Sequence, residues 1–274
     1  MEIRMTDVAL LENTPDFAAL YSAPTTSAPN IARARINRDA SVEINDKMES
    51  VPAPSIGLKD TDDQEYFSDE VYLRVYLDTM QTAVFDSDLA EYTNMSKHFN
   101  RFTDPVLDWL GGDKCGWVPS RVRDKLRKED PVAFAAANKV KLYRHLFGTI
   151  RMVDPVSPGL DGPAEVENVP FRMRLGPSNF MMIGDVLGGI IRQDINPASV
   201  ELKLDFKLEK RGSNKWFTLK YKPIMTNIIE LDSDYHILAQ DFQQLKAYEN
   251  DQVESRMRDN SNNVVESFDD ILEA

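Results

Sequence analysis

A mainly β chain with helical insertions, of the α+β class, is predicted for these 274 residues from three observations. Apolar residues alternate with polar ones over several long stretches, the period of a strand with one face in a core. Two such stretches flank a short turn as a hairpin. Between the alternating runs lie loops marked by Pro and Gly, and a few segments with helical spacing.

The first part of the chain shows little of this order. From Thr14 to about Asp63 it is rich in Pro, Ala, Ser and Asp, as in Ser22-Ala23-Pro24-Thr25-Thr26-Ser27-Ala28-Pro29. That composition predicts disorder, and residues 1–65 read as a flexible acidic arm. Inside the arm, Ile31-Ala32-Arg33-Ala34-Arg35-Ile36-Asn37-Arg38 forms a basic island. It is either a docking peptide for self-association through Arg33, Arg35 and Arg38 or a solvated turn of helix.

Regular structure is expected from about residue 66 to 225. In Val71-Tyr72-Leu73-Arg74-Val75-Tyr76-Leu77 the hydrophobes Val71, Leu73, Val75 and Leu77 face one way and Tyr72, Arg74 and Tyr76 the other. Residues 88–138 turn helical, with Asp130-Pro131 opening an Ala-rich helix, and read as an insertion. A second long strand follows over Lys141–Val153, with Leu142, Leu146, Ile150 and Met152 on one side and Lys141, Tyr143, His145, Phe147 and Arg151 on the other. The Pro- and Gly-rich run 154–163 is a loop, Phe171-Arg172-Met173-Arg174-Leu175 a third strand, and Pro177-Ser178-Asn179 opens an apolar helix to about Arg192. Gly184, Gly188 and Gly189 suit that helix to close packing on a sheet.

The hairpin is the clearest element. Glu201–Glu209 and Lys215–Lys222 alternate without a break around Arg211-Gly212-Ser213-Asn214. Its buried set is Leu202, Leu204, Phe206, Leu208, Phe217, Leu219 and Tyr221. Last, Tyr235, Leu238, Phe242 and Leu245 mark an amphipathic helix within 226–259, followed by an acidic tail over 260–274. Two long bent strands, a helix between the third and fourth strands and a closing hairpin suit a five-stranded barrel of the OB type, with another mixed α+β sheet as the alternative.

Charge is sorted along this chain. Residues 1–70 carry 6 Lys/Arg against 14 Asp/Glu, residues 223–274 carry 3 against 12, and the body between them carries 23 against 19. A formal net charge of −13 therefore hides a mildly cationic middle. If each strand buries its aliphatic side, the other sides gather Tyr72, Arg74, Tyr76, Tyr143, Arg151, Arg172, Arg174, Lys203, Lys207, Trp216 and Lys220. Interleaved rings and cations suit single-stranded nucleic acid, whose exposed bases stack while Lys and Arg follow the phosphates. A duplex hides its base faces and would reward charge alone. Lysines on the wet face of a hairpin, and rings capping a core, are the ordinary alternative.

Catalysis is not nominated. His98, His145 and His236 have no metal-ligand spacing, Cys115 is the single cysteine, and no Gly-rich phosphate loop follows a strand. Neither cofactor nor metal is implied. No window of about 18 uncharged apolar residues exists to span a membrane. The N-terminus lacks a basic region followed by an apolar run, so no secretory signal is read, and a reducing cytoplasm is expected.

With its basic, aromatic body, the run Asp154-Pro155-Val156-Ser157-Pro158, then Phe171-Arg172-Met173-Arg174-Leu175-Gly176, and an acidic end in Phe268-Asp269-Asp270-Ile271-Leu272, the chain resembles the single-stranded DNA-binding proteins of tailed bacteriophages. The likeness covers roughly half the chain. It implies a non-catalytic protein that protects single-stranded DNA in phage replication, recombination or repair, in the cytoplasm of an infected host. It also implies a tail, Phe268 to Leu272, that recruits replication or recombination proteins and competes with DNA for the cationic groove. Some members of that family hold a structural zinc, which one cysteine does not match. A phage assembly protein, with arms that order on neighbouring subunits, is the alternative, and RNA as ligand is left open.

Overall fold

The computed structural model describes residues 31–44, 47–160, 162–212 and 214–272. The expected arm lies outside the described residues over positions 1–30. The rest of that stretch is not unstructured: it holds β1 (Ala32–Asn37), β2 (Ser41–Ile44), β3 (Lys47–Ser50), β4 (Ser55–Lys59) and β5 (Glu65–Ser68). The basic island is β1 itself. Ala32 and Ala34 alternate with Arg33 and Arg35, a period-two pattern concealed by alanine's weak preference for strands. The Arg35 Nη2 donates to both carboxylate oxygens of Glu65, at 2.9 and 3.1 Å, so Arg35 does not project as part of a free peptide.

Next come β6 (Val71–Asp86), β7 (Glu91–Met95), α1 (Ser120–Glu129), α2 (Pro131–Lys139), β8 (Val140–Met152), β9 (Val166–Leu175), α3 (Pro177–Ile191), β10 (Leu202–Arg211), β11 (Asn214–Pro223) and α4 (Ser233–Leu272). The main sheet runs β11-β10-β6-β8-β9-β1-β4-β5, with β7 beside β6; β2 and β3 form a separate ribbon. The chain is thus α+β and largely sheet, as expected, but the insertion expected to be helical over 88–138 is α-helical only from Ser120; β7 pairing with β6 and an irregular loop take its first part. Among the described residues no pairing joins β11 to β5, so the strands do not close into the five-stranded OB-type barrel. Two facts keep the sheet open. The strands β1, β4 and β5 extend it beyond β9, and β10 meets β6 only at Leu202, Lys203 and Leu204.

One face of the sheet carries the main core. Val71, Leu73, Val75, Leu146, Ile150, Phe171, Met173, Leu175, Leu202 and Leu204 line it, and Ile183, Leu187 and Ile190 of α3 cover it. Gly184 lets α3 approach closely: a Cβ there would lie 2.1 Å from the guanidinium of Arg144, which grips Asp78 with two bonds of 2.6 Å. The hairpin registers as its alternation predicts, Leu204 against Tyr221 and Glu209 against Trp216. Leu208, expected inside, is 54 % exposed because the hairpin tip runs past the end of its pairing with β6.

A bulge in β6 changes the face expected of Leu77. Val75 pairs with Gly148 but Leu77 pairs with Phe147, so the alternation slips by one residue. Gly148 fits there because a Cβ would sit 1.8 Å from the carbonyl oxygen of Arg74. After the slip Leu77 leaves the main core for the opposite face. There it joins Phe147, Phe242 and Leu245 in a second cluster, with α4 laid across the sheet. Phe147, expected on the solvated side, is therefore fully buried.

Candidate functional site

The face opposite α3 collects the predicted cations and rings, and α4 divides it. The helix starts beside β6, where Tyr235 accepts an Asn196 amide bond of 3.3 Å and its ring lies 5.0 Å from that of Tyr76. It crosses β8 with Phe242 against Phe147, ring centroids 5.9 Å apart. It reaches β9 with Glu249 paired to Arg172, and the segment after β7 through Lys97–Glu254 and the Asn260 amide on the Trp109 carbonyl at 2.9 Å. Tyr76, a predicted base-stacking ring, is half-buried beneath this helix against Tyr235 and Phe242.

On one side of α4 stand Tyr72, Arg74, Arg151 and Lys203. The Arg151 guanidinium lies 4.0 Å above the Tyr72 ring and the Lys203 ammonium 5.5 Å from it. Both cations are answered by carboxylates, Arg151 by Glu201 at 3.3 Å and Lys203 by Glu70 at 2.6 Å. The Glu70 carboxyl is held below its ordinary range by its bonds from Lys203 and Tyr72. Arg74 donates to the Ala198 carbonyl at 2.9 Å. Lys207, Trp216 and Lys220 sit farther along the hairpin. Lys207 is paired to Glu209, Trp216 is half-buried, and Lys220 is exposed. The structure thus brings these predicted residues to one face, with much of their charge matched locally.

The other side is different. Arg172 and Arg174 of β9 and His145 of β8 line a cavity of about 530 Å³ with Arg33 of β1, Trp109, and Glu249 and Arg256 of α4. Four arginines face it and one carboxylate does, a local excess of positive charge in a chain whose net charge is −13. At its edge Arg174 lies 4.6 Å from the Tyr143 ring and donates to the Tyr92 hydroxyl at 2.5 Å. Arg256 lies 4.5 Å above the Trp109 indole. Behind Arg172, the His98 ring is 2.7 Å from Glu249 and 4.8 Å from His145. Burial drives His145 well below the ordinary histidine range, with the charges of His98, Arg174 and Arg172 adding to it. Burial by itself would raise the Glu249 carboxyl; the bond and charge of His98, together with Arg172, outweigh this and lower it.

Sequence reasoning placed Tyr143, Arg172 and Arg174 on this face and missed Arg33, Tyr92, Trp109 and Arg256 as their neighbours. Arg33 carried a signal, its place in the Ala-Arg alternation. The other three come from a loop, a short strand and a distant helix, and only the folded chain brings them near. The predicted interaction residues Phe268, Asp269, Asp270, Ile271 and Leu272 fall on the last turns of α4, and their side chains lie outside the described residues. Among the described residues no group of three or more His, Cys, Asp and Glu is placed to hold a metal ion, and no helix is long and apolar enough to cross a membrane.

Searches of family models, curated proteins and solved structures returned no match to this chain.

Proposed function

We propose that the chain binds single-stranded nucleic acid, DNA in the first instance, without performing chemistry on it. The observation that carries this reading is the convergence of Arg33, Arg172, Arg174 and Arg256 on one cavity beside Trp109 and Tyr143. Phosphates would take the guanidinium groups, which bind such anions in a planar, bidentate fashion. Unpaired bases would take the rings, at about 1 to 3 kcal/mol per stacked base. The Tyr72, Arg151 and Lys203 group on the other side of α4 offers a second contact of the same composition, weaker because Glu70 and Glu201 already answer its charges. The end of α4, Phe268 to Leu272, is proposed to contact replication or recombination proteins, as the phage resemblance implies.

Trp109 provides the readout. Titration with oligo-dT should quench intrinsic tryptophan fluorescence, and raising the salt should weaken the effect. Duplex of the same length should leave it nearly unchanged. An equal response to both, or none to either, overturns the reading, and a parallel titration with oligo-rU assigns the sugar.

A further inference from the structure

We infer that the cavity beside α4 takes the end of a strand, a terminal nucleotide carrying a phosphate monoester, and not an internal stretch. This rests on the proposed binding of single strands at the same face.

The first ground is the course of α4. A strand passing continuously from Tyr72 and Arg151 to Tyr143 and Arg174 would cross the line where Phe242 and Leu245 sit on Leu77 and Phe147. Phe242 is 0 % and Leu245 2 % exposed, so that line is core and not a surface on which a backbone can lie. Beyond it, the helix is fastened to Arg172 by Glu249, at the cavity, and to Lys97 by Glu254. Polymer entering beside the helix meets a half-open cavity of about 530 Å³, within the size range of pockets that hold one small ligand, roughly 300 to 1,000 Å³.

The second ground is the chemistry of the lining. An internal phosphodiester carries one negative charge, whereas a terminal monoester carries nearly two and three free oxygens. Arg33 and Arg174, from neighbouring strands β1 and β9, together with the donors that Arg172 does not give to Glu249, supply more than one diester can use. A third observation points to a bound base or sugar. The Nε2 of His145 is buried and has no hydrogen-bond partner among the described residues, although His145 lines the cavity. A buried polar atom of this kind calls for a partner. A base edge or terminal hydroxyl seated next to the phosphate would supply one.

The test uses the full chain and four forms of one thymidine oligonucleotide: circular, linear without phosphate, linear with a 5′-phosphate, and linear with a 3′-phosphate. Affinity is read by competition against a labelled strand. One phosphorylated linear form should bind roughly tenfold more tightly than the circle, the worth of one further charge-assisted contact, and which form does so gives the polarity. Arg33→Ala and Arg174→Ala, both at exposed positions, should each shrink that preference. Equal binding of the circle and both phosphorylated forms overturns the end reading and leaves the single-strand reading standing. Failure of every form to bind overturns both.

Discussion

Asp108 shows how much one buried side chain can organise. It is 1 % exposed and accepts backbone N–H groups from Leu110, Gly112 and Cys115 at 2.9, 3.0 and 2.7 Å. The loop that carries Trp109 is tied down by these bonds. Asp108→Ala would leave three amides without their acceptor, at about 1 to 3 kcal/mol for each one kept from water. Chemical denaturation should show a loss of at least that size, and Asp108→Asn, which keeps one acceptor oxygen, a smaller one. Titratable groups at the same scale set the acid response. His145 is neutral in the folded chain well below the ordinary value of 6.5, so beneath that value the unfolded chain takes up a proton that the folded chain refuses. Stability should therefore begin to fall as pH drops through about 6.5. A second loss follows at lower pH, since Glu249, whose folded pKa is depressed, stabilises the fold above the ordinary carboxylate range and ceases to as the pH falls through its folded value. Urea midpoints measured across this range should show both stages. His145→Gln should flatten the first, and an unchanged first stage in that variant would count against the assignment.

At the scale of elements, α4 is held by few but deeply buried residues. Phe242 and Leu245 are its anchors on Leu77 and Phe147, and Phe242→Ala should cost about 3 to 5 kcal/mol. Amide exchange in α4 should then rise before exchange in the β6-β8 pair does, whereas uniform acceleration would mean that the helix and sheet melt as one unit. The helix was legible from Tyr235, Leu238, Phe242 and Leu245 at spacings of 3, 4 and 3. So were β6, β8, β9 and the β10-β11 hairpin, whose alternation matches the observed faces over most of their length. What the periodicity concealed was the slip at Val75 and Leu77: a bulge leaves no mark in a row of alternating hydrophobes, and only the partner strand, through Gly148, reveals it. β1, β4 and β5 were hidden differently. They are 4 to 6 residues long, and their composition resembles that of the Pro- and Ser-rich sequence around them, so their order comes from pairing with β9 and with each other.

For the whole molecule, sorted charge becomes a spatial arrangement. The anionic C-terminal stretch is a helix laid over the cationic face, with Glu249 and Glu254 against Arg172 and Lys97. The proposed binding of a single strand should weaken linearly in log affinity with log salt, and Arg33→Ala or Arg174→Ala should reduce that slope by about 0.7 each, the value of one phosphate contact on a single strand. Mutation of Lys222, which is paired with Asp205 on the hairpin, should change the slope much less. By itself the sequence determined the α+β class, the long strands and, up to the bulge at Val75 and Leu77, which of their side chains share a face, because alternation and turn chemistry are local. Tertiary structure alone decided that the sheet stays open, that Tyr76 and Phe147 are covered, and that Arg33, Trp109 and Arg256 meet Arg172 and Arg174. The physical reason is that each of these depends on which element packs on which, a choice made by burial of Phe242 and Leu245 and by the register of β1 on β9, between residues far apart in the chain.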